Sequence, residues 1–296
     1  MVTRRLGPYR LLGEVAQLDL DDGAAAAAFG DLLAESLSGL AVTPPTTVAT
    51  TTIAVGRNND SWHLTVEGPH VPADPAGSIG ADDSVALHRI LSGIDAVAAE
   101  SAVGFGCAVL HGGLVEIDGR TIAAVGPSGM GKSTFTAVAV SLGHRFVGDE
   151  VVAVDPQSAV VLPHRRPIGL RTGAAALLEV TIPPGPFRSV YPYRVDRNSS
   201  AGRAGADAGT NDDSGSRPLD SIVLLRRYAG HDGGAEVAPV PPAQALLRFS
   251  NQILGPTGTE PQMFGRIEQL VRNVPVFEVT YREAADAIAA IGAMRA

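Results

Sequence analysis

Gly126-Pro127-Ser128-Gly129-Met130-Gly131-Lys132-Ser133 is the stretch on which the fold of this 296-residue chain turns. It has the form G-x-x-x-x-G-K-[ST]. Its glycines let the backbone curl so that successive N–H groups point inward, as a cradle for phosphate oxygens requires. In that pattern the lysine, Lys132, reaches the β- and γ-phosphates, and the hydroxyl of Ser133 sits on Mg²⁺. The flanks agree. Thr121 to Val125 is an apolar run of strand type, and Ser133 to Leu142 is helical in pattern. A helix starting there turns its positive N-terminus toward the anion. The expected nucleotide-binding set is therefore Gly126, Pro127, Ser128, Gly129, Met130, Gly131, Lys132, Ser133 and Thr134, with ATP and Mg²⁺ as the cofactors.

Lys132 is the single lysine of the sequence; every other basic residue is arginine. The bias is that of a GC-rich gene. A compact ammonium on a flexible stem is kept where the planar fork of arginine would not serve.

The remaining composition sets limits. A content of 45% hydrophobic and 18% charged residues supports a large core, in one large domain or two small ones. The net charge of −8 speaks against a nucleic-acid or anionic-membrane binder. One cysteine, Cys107, excludes an internal disulfide framework and a cysteine-based zinc site, and its expected role is packing in a strand. No apolar run is long enough for a membrane span. Met1 to Gln17 carries Arg4-Arg5 and an apolar patch broken by Glu14, so no signal peptide is read and a cytoplasmic protein is expected.

Along the chain, Tyr9 to Leu20 reads as one strand. Asp21-Asp22 could cap a helix running to about Leu37. Two runs, Ile53 to Val55 and Trp62 to Val66, flank the hairpin turn Arg57 to Asp60. Val71 to Gly80 reads as a Pro/Gly-rich loop, and Ser84 to Ala99 as an amphipathic helix with Val85, Ile90, Leu91, Ile94 and Val97 on its apolar face. Strands are then expected at Phe105 to Leu110, Leu114 to Ile117 and Thr121 to Val125, with Asp118-Gly119 as a tight turn. Further strands are expected at Arg145 to Val147, Val151 to Val154, Val160 to Leu162, Leu219 to Leu225 and Val274 to Tyr281, followed by a helix from Arg282 to Met294. Asn198 to Arg217 has no aliphatic residue larger than alanine and reads as a mobile insertion. The pattern predicts an α/β protein: a phosphate-loop domain with a mixed sheet over residues 101–296, and a smaller α/β region of unknown role over 1–100.

Asp149-Glu150 follows Lys132 by 17 and 18 residues. A helix of about twelve residues carries the chain about 18 Å from the loop. Gly143-His144 can turn it, and a strand of four or five residues returns about 13–17 Å. The acidic pair thus ends near the phosphates. One carboxylate can hold Mg²⁺ while the other takes a proton from an attacking hydroxyl. His111, ahead of Gly112-Gly113, is a third candidate. His63, His70, His88, His164 and His231 have no metal-ligand spacing.

Together these residues resemble the HPr serine kinase/phosphorylase family. His111-Gly112 precedes Gly126 by 15 residues, and Gly143-His144-Arg145 and Asp149-Glu150 fall at the family spacing without a gap. The match covers Leu110 to Val151. The resemblance implies a fold related to the nucleotide-binding domain of phosphoenolpyruvate carboxykinase. It also implies Asp149 as catalytic base assisted by His111, with Ser133 and Glu150 at the metal; on the reading of the acidic pair, Asp149 is a further candidate metal ligand. Glu150 stands where the family usually has a second aspartate, and the family's downstream substrate segment is not found. Val274 to Val279 looks more like the diverged HPr-kinase-like proteins of actinobacterial peptide-tailoring pathways, some of which phosphorylate a peptide serine.

The expected activity is transfer of the γ-phosphoryl of ATP to a hydroxyl of a peptide or small protein, catalysed by Asp149, His111, Lys132 and Arg171. Arg171 is the candidate for added positive charge at the transferring group, and Arg165 and Arg166 are weaker ones. An ATP-binding regulatory or scaffold protein and a small-molecule kinase are the rival readings. A guanine-nucleotide switch and a carboxykinase each need lysines that this chain lacks. Neither nucleic acid nor membrane is an expected partner; a homo-oligomer is a possible assembly.

Overall fold

The computed structural model describes residues 3–12, 14–21, 29–31, 33–34, 36–37, 40, 49–58, 61–69, 78–80, 82–180, 191–193, 216–256 and 258–294. The chain is a mixed α/β protein and divides into two compact units. One comprises Met1–Phe105, Gly169–Pro192 and Gly255–Thr257; the other comprises Gly106–Ile168, Tyr193–Leu254 and Gly258–Ala296.

The first unit holds a five-stranded sheet in simple sequence order. Its strands are β1 (Thr3–Leu11), β2 (Glu14–Asp21), β3 (Thr51–Asn58), β4 (Ser61–Glu67) and β5 (Ser78–Gly80). All neighbours are antiparallel except β2 and β3, which run parallel. The expected single strand Tyr9 to Leu20 is instead two strands, because the chain reverses at Leu12, whose φ is 46°. The β3–β4 hairpin is as the sequence predicts. Of the loop expected over Val71 to Gly80, the last three residues form β5, and residues 71–77 lie outside the described residues. Asp21 ends β2, and residues 29–31, 33–34 and 36 are helical; the rest of the helix expected before Leu37 lies outside the described residues.

Helix α1 (Asp83–Gly104) is longer than expected. Its buried stripe, Leu87, Ile90, Leu91, Ile94, Val97 and Ala98, follows the 3.6-residue period. Val85 falls off that stripe and is 43% exposed. Trp62 is fully buried and stacks on Phe29 at 4.0 Å between ring centroids.

The second unit is built on a nine-stranded mixed sheet. Its central strands are β6 (Ala108–Ile117) and β7 (Arg120–Val125), joined by the tight turn at Asp118-Gly119, where both φ values are positive. Helix α2 (Lys132–Ser141) follows β7, then β8 (Arg145–Gly148), β9 (Val151–Val154) and β10 (Val160–Leu162). Strand β11 (Ile168–Leu170), helix α3 (Thr172–Leu177) and strand β12 (Tyr191–Tyr193) come next in the chain and fall mostly within the first unit; β13 (Arg217–Pro218) and β14 (Ser221–Arg227) belong again to the second. The chain ends with β15 (Glu236–Pro239), α4 (Pro242–Phe249), α5 (Glu260–Asn273), β16 (Val276–Tyr281) and α6 (Ala284–Ala293). Strands β7, β14 and β16 are parallel neighbours, and β6, β9, β10, β13 and β15 run antiparallel to their partners. Near-continuous apolar runs in β6, β7, β9 and β14 match burial on both sheet faces.

One face of the sheet packs Ala108, Leu110, Leu114, Val125 and Leu224 with Phe249 of α4 and Ile267 and Leu270 of α5. Helices α2 and α6 pack against each other and against β6. The expected strands Phe105 to Leu110 and Leu114 to Ile117 are one continuous strand, running through Gly112-Gly113, and Phe105 is outside it and 61% exposed. His111 is therefore mid-strand rather than at a strand end. Helices α4 and α5 went unread in the sequence. Residues 198–215 of the expected insertion lie outside the described residues, and Arg217 belongs to β13. Among the described residues, no helix is long and apolar enough to cross a membrane.

Candidate active site

The loop leaves β7 at Val125 and enters α2 at Lys132. Gly129 and Gly131 adopt φ values of 85° and 88°, a left-handed conformation that costs a side-chain-bearing residue about 1 kcal/mol or more. These two turns let the loop double back: the Met130 N–H donates to the Pro127 carbonyl at 3.2 Å, and Phe135 N–H donates to Gly131 at 2.7 Å to open the helix. Among the described residues no side chain caps α2, and no acidic residue lies in its first turn. A helix start without a negative side chain suits an anion. Lys132 is 7% exposed, and its ammonium donates to the carbonyls of Gly126 at 2.8 Å and Pro127 at 3.3 Å.

The acidic pair arrives by strand register. Strand β8 pairs with the far half of β6 (Leu114 opposite Gly148), and β9 pairs with its near half (His111 opposite Val151). Gly113 thereby stands opposite Asp149 and Gly112 opposite Glu150. On the other edge of β6, the same glycines face Ala124 and Val125, the last residues before the loop. The glycines make the room. A Cβ on Gly113 would lie 2.2 Å from Thr136 Oγ1 and 3.1 Å from Asp149 Oδ1. The Asp149 carboxylate therefore occupies the space above Gly113, beside the first turns of α2.

Asp149 is buried, and the nearby Ser133 side chain helps hold its proton affinity down. Its Oδ2 is buried and has no hydrogen-bond partner among the described residues. Burial is the main cause that raises its pKa, and the charge of Glu150 raises it further; Arg166, Ser133 and the Glu150 amide pull it back. Glu150 holds φ at 71°, an uncommon conformation for a residue with a side chain and the kind that clusters at functional sites. The Glu150 carboxylate lies 3.4 Å from His111 Nδ1 and 3.6 Å from Arg166 Nη2. The His111 Nδ1 is also 3.1 Å from the Glu150 carbonyl oxygen.

The structure thus brings together Lys132, Ser133, Asp149, Glu150 and His111 in one unit. The ring of His111 is set against Glu150, whereas the resemblance had it assisting Asp149. The arginine beside the acids is Arg166, which is 6% exposed. Arg171 is exposed, precedes α3 and belongs to the first unit. Cys107 is buried just ahead of β6, and burial pushes its thiol up to about 11, in keeping with a packing role.

Tyr281 was not read from the sequence as a site residue. Its hydroxyl donates to the Met130 carbonyl at 2.9 Å from 151 residues away, and no local sequence signal marks such a contact.

No protein-family model matches the chain, and no curated protein matches it in sequence. Among solved structures it is similar to the Hpr(Ser) kinase/phosphatase from Coxiella burnetii. That alignment covers 62% of this chain and 86% of the other, at 12% identity and a TM-score of 0.28. At that score the likeness is a distant one in fold.

Proposed function

We propose that this chain is an ATP-dependent phosphotransferase of the HPr-kinase-like phosphate-loop type, moving the γ-phosphoryl group to a hydroxyl, most simply a serine of a peptide or small protein. The observation that carries the reading is the placement of Asp149: a buried carboxylate above Gly113, beside Thr136 of the helix that the loop opens, with one oxygen unpartnered among the described residues. An orphaned buried oxygen is costly unless something completes it.

A carboxylate whose proton affinity is raised by burial is suited to accept a proton from a hydroxyl. In the transfer, the acceptor oxygen bonds to the γ-phosphorus, the bond to the β–γ bridging oxygen breaks, and ADP leaves. The hydroxyl proton passes to Asp149. Lys132 and the loop amides bind and orient the phosphates and spread their charge. Arg166 adds positive charge on the side of the acids, taking the part first given to Arg171. His111 and Arg166 together fix the Glu150 carboxylate.

The residues fit a magnesium ion. Mg²⁺ takes one or two carboxylates and a hydroxyl with the rest from phosphate and water, and Ser133, Asp149 and Glu150 offer that set. When bound, the ion would neutralise phosphate charge.

The test is transfer of labelled γ-phosphate from ATP to serine-containing peptides and small proteins, with Asp149→Asn and Lys132→Ala beside the parent chain. Transfer by the parent and none by Asp149→Asn is expected. Full activity in Asp149→Asn removes the base assignment. Nucleotide binding with no transfer to any hydroxyl acceptor replaces the kinase by a regulatory nucleotide binder.

A further inference from the structure

Strands β7, β14 and β16 run parallel, and their C-terminal ends share one edge of the sheet, the edge at which α/β sheets bind ligands. Their lengths differ there. Val125, the last residue of β7, is level with Leu224 and so with Glu278. Strand β16 runs on to Tyr281, three residues or about 10 Å further. That overhang brings a tyrosine to the height of the loop.

The Tyr281 side chain is 1% exposed, and its hydroxyl donates to Met130, the residue between the two left-handed glycines of the loop. A Cβ on Gly131 would lie 3.2 Å from the same hydroxyl. Tyr281 is itself anchored, since its carbonyl accepts from the Tyr228 N–H at 2.8 Å. The chain then passes into α6, which packs on α2. The Gly126 end of the loop lies against the backbone of Leu225, where an added Cβ would meet the carbonyl oxygen at 3.1 Å. The loop is thus held at its start by β14 and at its crest by Tyr281.

We propose, resting on the nucleotide-binding reading, that Tyr281 is a positioning residue: its hydroxyl clamps the Met130 carbonyl outward and so keeps the amides of Gly129 to Lys132 turned toward the phosphates before nucleotide arrives. A carbonyl held by a phenol cannot rotate into the cradle, where it would repel a phosphate oxygen. The loop then binds without first having to be ordered.

Tyr281→Phe keeps the ring and removes only the hydroxyl. Two measurements decide the case. Amide hydrogen exchange without nucleotide should rise about tenfold at Met130 and Phe135, whose N–H groups are bonded to the Pro127 and Gly131 carbonyls, and stay unchanged in β7, β14 and the middle of α2. The Kd for Mg-ATP should rise about tenfold, equivalent to about 1.4 kcal/mol, with KM raised by a similar factor and kcat at saturation little changed. Unchanged loop exchange and Kd overturn the proposal. A loss of protection throughout the unit, or failure to fold, also overturns it, because the hydroxyl would then serve the core and not the loop. A parent chain that binds no nucleotide sinks the phosphotransferase reading, while the exchange measurement still decides the clamp.

Discussion

The two units of this protein bury different things. In the first, the buried polar residues among those described are Ser36, Thr51 and Ser101, all hydroxyls. The second buries Lys132, Asp149 and Arg166 as well as His164. Hydroxyls are accommodated at low cost by nearby carbonyls, as when Ser101 donates to the carbonyl of Leu12. Buried ionisable groups are a different matter, since removing a charge from water costs several kcal/mol unless partners replace the water. A fold that needed only stability would fill those positions with apolar side chains. The first unit shows a sheet and helix built for packing, and the second shows the same materials carrying an electrostatic load at one end of the sheet.

The strongest test of that contrast separates stability from activity. Asp149→Asn should lower phosphoryl transfer about 10²–10⁴-fold, and Lys132→Ala about 10²–10³-fold, as read by labelled transfer. Thermal melting of Asp149→Asn should hold or improve, because a buried carboxyl that must keep its proton is replaced by a neutral amide. A large loss of melting temperature in Asp149→Asn would make the residue structural. Next, Arg166→Gln should cost about 10- to 100-fold in transfer, clearly more than Arg171→Gln; the reverse order would return the role to Arg171.

A third comparison uses one glycine from each unit. Gly113→Ala places a methyl 2.2 Å from Thr136 Oγ1, on a branched side chain of a buried helix turn, and should cost about 1–3 kcal/mol together with activity. Gly93→Ala in α1 meets only the tip of Leu64, at 2.4 Å, which can rotate aside. It also gains helix propensity of about 1 kcal/mol, so its net effect on melting should be small.

A last test varies pH. Burial raises the Asp149 carboxyl from 3.8 to about 8. Below the lower value both folded and unfolded chains hold the proton. Between the two values only the folded chain does, so stability falls as pH rises through that window and levels off above it. Denaturant titrations without nucleotide should show this slope, and Asp149→Asn should lack it.

The sequence made the loop and the acidic return legible because both are local. The glycines, Lys132 and Ser133 are adjacent, and Asp149 follows by one helix and one strand. The sequence misled at Gly112-Gly113, where two glycines suggested a break in what is one strand. Their purpose depends on Asp149, Thr136 and Ala124 closing around them, which no window of neighbours contains. Helices α4 and α5 were legible in principle, since Met263, Ile267, Leu270 and Val271 repeat at helical spacing, but the segment was not read. Choosing Arg166 over Arg171 needs the path of the chain after β10. Tyr281 needs the whole parallel order β7–β14–β16, which brings a residue near the C-terminus beside Met130.

Lys132 also gives the chemist an unusual handle. It is the only lysine side chain in the sequence, and its ammonium lies against the Gly126 and Pro127 carbonyls of the loop. An acyl-phosphate derivative of ATP, which acylates a lysine lying next to the phosphates, has a single address on this chain. One tagged peptide then reports occupancy directly, in a purified sample or in a crude extract, and competing nucleotides can be ranked by how far each one blanks that signal.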